Sequence, residues 1–246
     1  MFTPRIIANA FIKGWVRSRS GPNTTLSTLG PLKHIHFDRP LGAPPLSDEF
    51  FAFRLEPDEV VNLIQARYPN PPHWLTVLDS ASKESQASYE AHGYSLRALE
   101  YLMVRPLKKP PFMDGARTVT DDVPVKRVET ADEAGWFNAA KGTEAVSEAK
   151  LLDPSINFYY IESDGYIIAR GRSILVDGRF VVIDDVFTHP DYRRRGLATA
   201  LMVQILADAL HAGAHQSVLA ASQAGRQLYQ KLGYQDVAPL LVFNSG

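Results

Sequence analysis

The sequence predicts an α/β (α+β) protein: a mixed, mostly antiparallel sheet flanked by helices, organised as two similar domains in tandem. Three observations predict it. Aromatic and β-branched runs are joined by Asp-Gly pairs, the mark of antiparallel hairpins. A glycine turn opens a long apolar run with a period near four, the mark of a helix packed on a sheet. Finally, "YEAHGY" (Tyr89–Tyr94) in the first half matches "YQKLGY" (Tyr229–Tyr234) in the second in the spacing of Tyr, Gly and Tyr.

The 246 residues carry 26 Lys+Arg against 27 Asp+Glu, a net charge of -1, and are 45% hydrophobic. That is the balance of an ordinary globular protein with one large domain or two small ones. Near neutrality argues against a surface built for nucleic acid or acidic membranes, so neither is expected as a partner. The chain has no cysteine, which excludes disulfides, thiolate metal sites and a cysteine nucleophile. At the start, "MFTPRIIANAFIKGWVRSRS" has an early positive charge. Lys13 interrupts its apolar patch and no small-residue cleavage site follows, so no signal peptide is read. No run reaches the ~18 apolar residues that mark a membrane span. A cytoplasmic location is the default expectation.

In the first half, "HIH" (His34, His36) puts two rings on one face of a strand, as a metal pair would. No third ligand is identifiable, so no metal site is expected. A helix follows Pro57-Asp58, then comes the strand "HWLTVL", and a second helix ends at Gly93-Tyr94. The stretch "RPLKKPPFMDGARTVTDDVP" (Arg105–Pro124) is rich in proline and charge without an apolar period and reads as a linker. The expected division is 1–105, a linker at 106–122, and 123–246.

The second half opens with a helix over Ala131–Lys141. The strands "INFYYIES", "YIIARGRSILV" and "RFVVIDDVF" follow, joined by Asp164-Gly165 and Asp177-Gly178. A helix then runs from about Gly196 to His211, with Leu197, Leu201, Ile205 and Ala209 on one stripe and Gly213 as its stop. "SVLAA" is a short buried strand, "SQAGRQLYQKLGY" a helix ending at Gly233, and "APLLVFN" closes the sheet. The order helix, strand, helix, Gly-Tyr thus occurs twice. The first copy is shorter by about the length of "RRRGLAT", which suggests a duplication whose first copy lacks the cationic turn.

That turn, Arg193-Arg194-Arg195-Gly196-Leu197-Ala198, carries the chemistry. The first N–H groups of a helix lack intrahelical partners, and the dipole is positive there. Gly196 admits a ligand close to the backbone, and arginine forks match phosphate oxygens. Together they make an anion site suited to a pyrophosphate. Three arginines at a helix start are locally unfavourable unless an anion compensates them.

These residues resemble the signature of the GCN5-related N-acetyltransferase (GNAT) superfamily, Arg/Gln-x-x-Gly-x-Gly/Ala after a strand and opening a long helix. Leu228-Tyr229 and Gly233-Tyr234 resemble its second landmark. The match covers roughly Val123 to the C-terminus, and the first half resembles a degenerate copy, as in tandem members. The resemblance implies acetyl-CoA, or another acyl-CoA, as co-substrate, with no metal. It implies a pyrophosphate held by the N–H groups from Arg194 to Thr199, with Arg193, Arg195, Leu197 and Ala198 in the same turn. The pantetheine arm would pair with the strand end Val186, Phe187 and Thr188, which suits its two amides. A backbone N–H near Val186 would stabilise the developing oxyanion.

Acyl transfer to an amine requires loss of a proton at a pKa of about 10.4. Asp184 and Asp185 lie on opposite faces of the strand that feeds the turn. Asp184 shares parity with Val186 and Thr188 and is the expected base or acceptor anchor. Asp185 is the alternative, since a bulge would swap the two. In the family a tyrosine at the place of Tyr229 protonates the departing thiolate; packing beside Leu228 and Leu232 is its other reading. Ser222 either caps the last helix or contacts the cofactor.

The expected activity is direct transfer of an acyl, in particular acetyl, group from acyl-CoA to a primary amine. The acceptor is a small-molecule or peptide amine, and the chain a monomer or homodimer. A non-catalytic acyl-CoA-binding sensor would keep the arginine turn without needing Asp184 or Tyr229. RNA binding through the arginines ranks last, because no aromatic-interleaved basic stripe accompanies them.

Overall fold

The computed structural model describes residues 3–69, 72–78, 82–108, 124–141 and 145–245. Most of the expected linker, 106–122, lies outside them. In chain order the elements are α1 (Pro4–Arg19), β1 (Thr25–Leu29), β2 (Leu32–Leu41), β3 (Leu46–Phe53), α2 (Pro57–Arg67), β4 (His73–Leu78), α3 (Lys83–Ala91) and β5 (Tyr94–Pro106). The second half adds β6 (Lys126–Arg127), α4 (Ala131–Lys141), α5 (Glu148–Leu151), β7 (Ile156–Ser163), β8 (Tyr166–Val176) and β9 (Phe180–Thr188). A 3-10 turn (Pro190–Tyr192), α6 (Leu197–His211), β10 (Gln216–Ser222), α7 (Arg226–Lys231) and β11 (Gln235–Ser245) complete it.

The chain folds as two compact units, Met1–Val104 with Ala220–Gly246, and Arg105–Leu219. In the first, β1, β2 and β3 form an antiparallel meander, β4 adds parallel to β3, and β11 runs antiparallel between β4 and β5. The last strand of the chain therefore belongs to the N-terminal unit, whereas the sequence division left it with 123–246. Burial supplies the reason. Leu241 and Phe243 of β11 share one core with Phe50, Ala52, Val60, Ile64, Leu75 and Tyr89. Both backbone edges of β11 are used, by Trp74–Leu78 on one side and by β5 on the other.

In the second unit, β6, β7, β8 and β9 are antiparallel and β10 adds parallel to β9. Asp164 and Gly165, and Asp177 and Gly178, hold positive φ in the two hairpin turns, as their residue types favour. Helix α4 opens with a reciprocal cap: Thr130 Oγ1 accepts from Glu133 N at 3.2 Å, and Glu133 Oε2 accepts from Thr130 N at 3.0 Å. Helix α6 buries Leu197, Leu201, Met202, Ile205, Leu206 and Ala209 and packs on β7, β8 and β9. Helix α7 is shorter than its sequence suggests, because Ser222–Gly225 forms a turn before it: Gly225 N donates to Ser222 Oγ at 3.2 Å.

The repeat read in the sequence has a structural counterpart. In each copy a helix after Pro-Asp leads to a strand parallel to its predecessor, β4 on β3 and β10 on β9. Tyr89 meets Tyr94 edge-on at 5.9 Å, and Tyr229 meets Tyr234 edge-on at 5.8 Å. His34 and His36 both reach Asp48 Oδ1, at 2.7 and 3.0 Å, and His34 stacks on Phe50. Those rings serve hydrogen bonding and packing. No group of three or more His, Asp or Glu suited to a metal occurs among the described residues. No helix there is long and apolar enough to cross a membrane.

Candidate active site

Two local features shape the second unit around the arginine turn. The first is a bulge in β9. Arg172 pairs with Asp184 and Arg170 with Phe187, so Asp185 and Val186 together oppose Gly171. Asp185 takes φ 53°, a left-handed conformation uncommon for a residue with a side chain. The second is an interrupted edge. The parallel pairing of β9 with β10 spans Phe180 to Ile183, with Ile183 opposite Leu219. Asp184 to Thr188 continue along β8 alone.

The turn itself needs its glycine: Gly196 sits at φ 80° and caps α6, and Arg194 is also left-handed at φ 63°. Ala200 N donates to Gly196 O at 2.9 Å as the first bond of the helix. The N–H groups of Leu197, Ala198 and Thr199 consequently have no intrahelical acceptor, and the first turn holds no acidic residue. Arg193 Nε donates to Thr188 O at 3.2 Å, and Arg195 Nη2 to Asp191 O at 3.0 Å, while Arg195 lies over Tyr192 at 5.0 Å. Arg193, Arg194 and Arg195 are all exposed. The Thr188 hydroxyl is buried without a partner among the described residues.

The bulge separates the aspartates by partner. Asp184 accepts two bonds from Arg172, Nε to Oδ1 at 2.6 Å and Nη2 to Oδ2 at 2.7 Å, in a nearly buried fork. Burial works against the Arg172 charge, yet the Asp184 carboxylate outweighs it and holds the guanidinium above its ordinary range. Asp185 Oδ2 accepts from Lys141 Nζ and, at 3.4 Å, from Arg170 Nε. Burial pulls the Lys141 ammonium below its ordinary range, against the pull of Asp185. Arg170 lies 4.4 Å over the Phe187 ring.

The unit thus brings Asp184, Asp185, Val186, Phe187 and Thr188 onto one strand that leads to the turn. Ser222 and Tyr229 belong to the other unit. Ser222 takes the Gly225 N–H described above. Tyr229 is 8% exposed, and burial, with the Glu100 charge adding, pushes its phenol up to about 12. Sequence reasoning missed Lys141, Arg170 and Arg172. Arginines at 170 and 172 alternate on β8, antiparallel to the strand that carries the aspartates, a signal present in "YIIARGRSILV". Lys141 closes α4, and only packing brings it to Asp185.

Comparison with known proteins bears on these features. Residues 125–234, the span that holds the bulge, the turn and Tyr229, match the model of the Acetyltransferase (GNAT) family. That region is GNAT-like. Over 104 residues the chain is 29% identical to an uncharacterized N-acetyltransferase, YedL, of Escherichia coli (strain K12). The match takes in 40% of this chain and 65% of that relative's length. A GCN5-related N-acetyltransferase from Kribbella flavida superposes with a TM-score of 0.68 at 19% identity, over 99% of this chain and 95% of that one. A tandem GNAT protein from the clavulanic acid biosynthesis pathway superposes at 0.58 with 14% identity, over 96% and 87%. At such identities these likenesses speak to the fold alone, a mixed α+β fold shared over nearly the whole chain with a tandem GNAT protein.

Proposed function

We propose that the chain is an acyl-CoA-dependent N-acyltransferase that moves an acyl group, in particular acetyl, directly to a primary amine. The observation that carries this reading is the coincidence of two features in one unit. The N–H groups that open α6 lie beside three arginines, and the strand leading to them stops pairing with β10 after Ile183. Bound acyl-CoA would supply an activated thioester carbonyl.

The protein's own groups bind and orient. The turn from Arg193 to Thr199 holds the pyrophosphate through N–H groups and guanidinium forks. The β9 edge at Val186–Thr188 takes the amides of the pantetheine arm. Both oxygens of Asp184 are engaged by Arg172, so Asp184 fixes the strand. Asp185, displaced by the bulge, anchors the acceptor amine. Tyr229 keeps its proton at neutral pH, as a donor must. With its pKa near 12 against about 8.5 for a thiol, the transfer runs uphill and requires stabilisation of the phenolate.

One observation favours a second reading, a non-catalytic acyl-CoA sensor. Asp184 and Asp185 both sit in ion pairs, leaving neither carboxylate idle as a base.

Calorimetric titration of acetyl-CoA tests the first step. The wild type should bind, and Arg194→Ala/Gly196→Glu should lose affinity by roughly a hundredfold or more, since a carboxylate then occupies the anion site. An absence of binding to acetyl-CoA, CoA or longer acyl-CoAs ends both readings. Turnover separates them: Tyr229→Phe should lower kcat about 100-fold with acetyl-CoA affinity intact. Binding without turnover of any amine favours the sensor.

A further inference from the structure

In each copy a helix packs beside the second and third strands. In the copy with the arginine turn these are α4, β8 and β9, which bring Lys141, Arg170, Arg172 and the two aspartates together. In the first copy they are α1, β2 and β3. There Arg5, Ala8 and Ile12 of α1 face Lys33 of β2 and Phe51 and Phe53 of β3 across a cleft of about 210 Å³. Phe53 stands before Pro57-Asp58 at the distance at which Val186 stands before Pro190-Asp191. Only Arg54-Leu55-Glu56 intervenes before that Pro-Asp pair, and no Arg-x-x-Gly turn opens α2, so this cleft lacks a pyrophosphate cradle.

We propose that the first copy retains this cleft as a binding site for a small carboxylate with a flat apolar body. The charge is one-sided. Among the described residues, Arg5 and Lys33 are its only ionisable lining groups, and no carboxylate lines it. Neither side chain forms an ion pair among the described residues; Arg5 lies over the Phe53 ring at 5.8 Å. Two cations lining one cleft without a counter-charge repel each other, and an anion held between them would remove that repulsion. A guanidinium fork matches a carboxylate in particular. Asn9 and Pro31 also line it, and the rest of the wall is apolar: Ala8 and Phe51 are 2% exposed and Ile12 is 5% exposed, with the half-buried Phe53 ring beside them. Size sets the limit. Drug-sized ligands occupy roughly 300–1,000 Å³, so about 210 Å³ suits one ring or a short chain. This site is independent of acyl transfer in the other unit.

Calorimetry on the full chain with benzoate as probe, and benzamide as its uncharged counterpart, tests the proposal. Benzoate should bind once per chain, and benzamide about tenfold more weakly. Arg5→Gln and Lys33→Gln should each weaken benzoate roughly tenfold, and the double variant should abolish saturation, with Tm and acetyl-CoA binding unchanged. Benzoate should also shift the backbone amide signals of Phe51 and Phe53 in the wild type, a readout that needs no variant. The proposal is overturned by any of four results: no saturable binding of benzoate, equal binding of benzamide, undiminished binding by the double variant, or displacement of benzoate by CoA. The last would place the anion on the arginine turn instead.

Discussion

Glu49 on β3 is 5% exposed, and its carboxylate accepts from Trp15 Nε1 at 2.7 Å and from Thr76 Oγ1 at 2.9 Å. Burial raises its pKa from 4.5 to about 7, against the opposing pull of those donors and of Arg19. The folded protein therefore holds this proton more tightly than the unfolded chain. Stability is highest below about pH 4.5, falls as pH rises towards 7 and is level above it, as far as Glu49 alone determines it. Glu49→Gln removes the ionisation and keeps the shape. Urea denaturation should find the variant more stable than the wild type by on the order of 2–3 kcal/mol at pH 8, with the gap closing at pH 4. A gap that does not depend on pH would mean that Glu49 ionises freely in the fold. At the same scale the aspartates show how little a residue's type says of its use. Asp184 and Asp185 are sequence neighbours with the same chemistry, yet one is clamped by Arg172 while the other meets Lys141 and Arg170. Strict alternation along the strand favoured Asp184 as the residue nearest the chemistry. The left-handed backbone at Asp185 resets that alternation.

Among the elements, β8, β9 and α6 form a matched set around Gly171. A Cβ at this position would stand 3.2 Å from Ile205 Cδ1 and 3.6 Å from Val186 Cγ2. Ile205 is 0% exposed and has no room to withdraw. Gly171→Val should accordingly destabilise the protein by about 1–3 kcal/mol in urea denaturation, and should weaken acetyl-CoA binding by shifting α6 against β9. An unchanged midpoint would show that the helix yields freely there. The elements were largely legible in the sequence. The bounds of β4, α4, β7 and β8 coincide with the apolar runs and turn residues that announced them. The hairpin turns at Asp164-Gly165 and Asp177-Gly178 do so because positive φ is a local requirement that few residue types meet. Helix α7 departs from its pattern because Ser222 competes locally for the Gly225 N–H, and that competition delays the first helical turn.

For the whole molecule, the place of β11 carries the clearest consequence. It fills the gap between β4 and β5 and contributes Leu241 and Phe243 to the core of the N-terminal unit. A chain ending at Leu219 would leave both strands with an unpaired edge and that core with a cavity. Hydrogen exchange on the 1–219 fragment should show lost protection at β4 and β5. Adding a peptide of residues 220–246 should restore it. Protection of β4 in the fragment equal to that in the full chain would show that the N-terminal unit is complete without its last strand.

The sequence by itself determined the element types, the doubled helix–strand–helix order and the arginine-glycine turn that opens α6. Each of these depends on local causes: side-chain period, turn residues that accept positive φ, and free N–H groups at a helix start. Tertiary structure alone decided which unit receives β11, which aspartate Arg172 clamps, and that Lys141 from α4 meets Asp185 from β9. Those outcomes depend on pairing and burial between residues far apart in the chain. A strand such as "APLLVFN" offers the same alternating faces to any open edge, and only the core it completes decides among them.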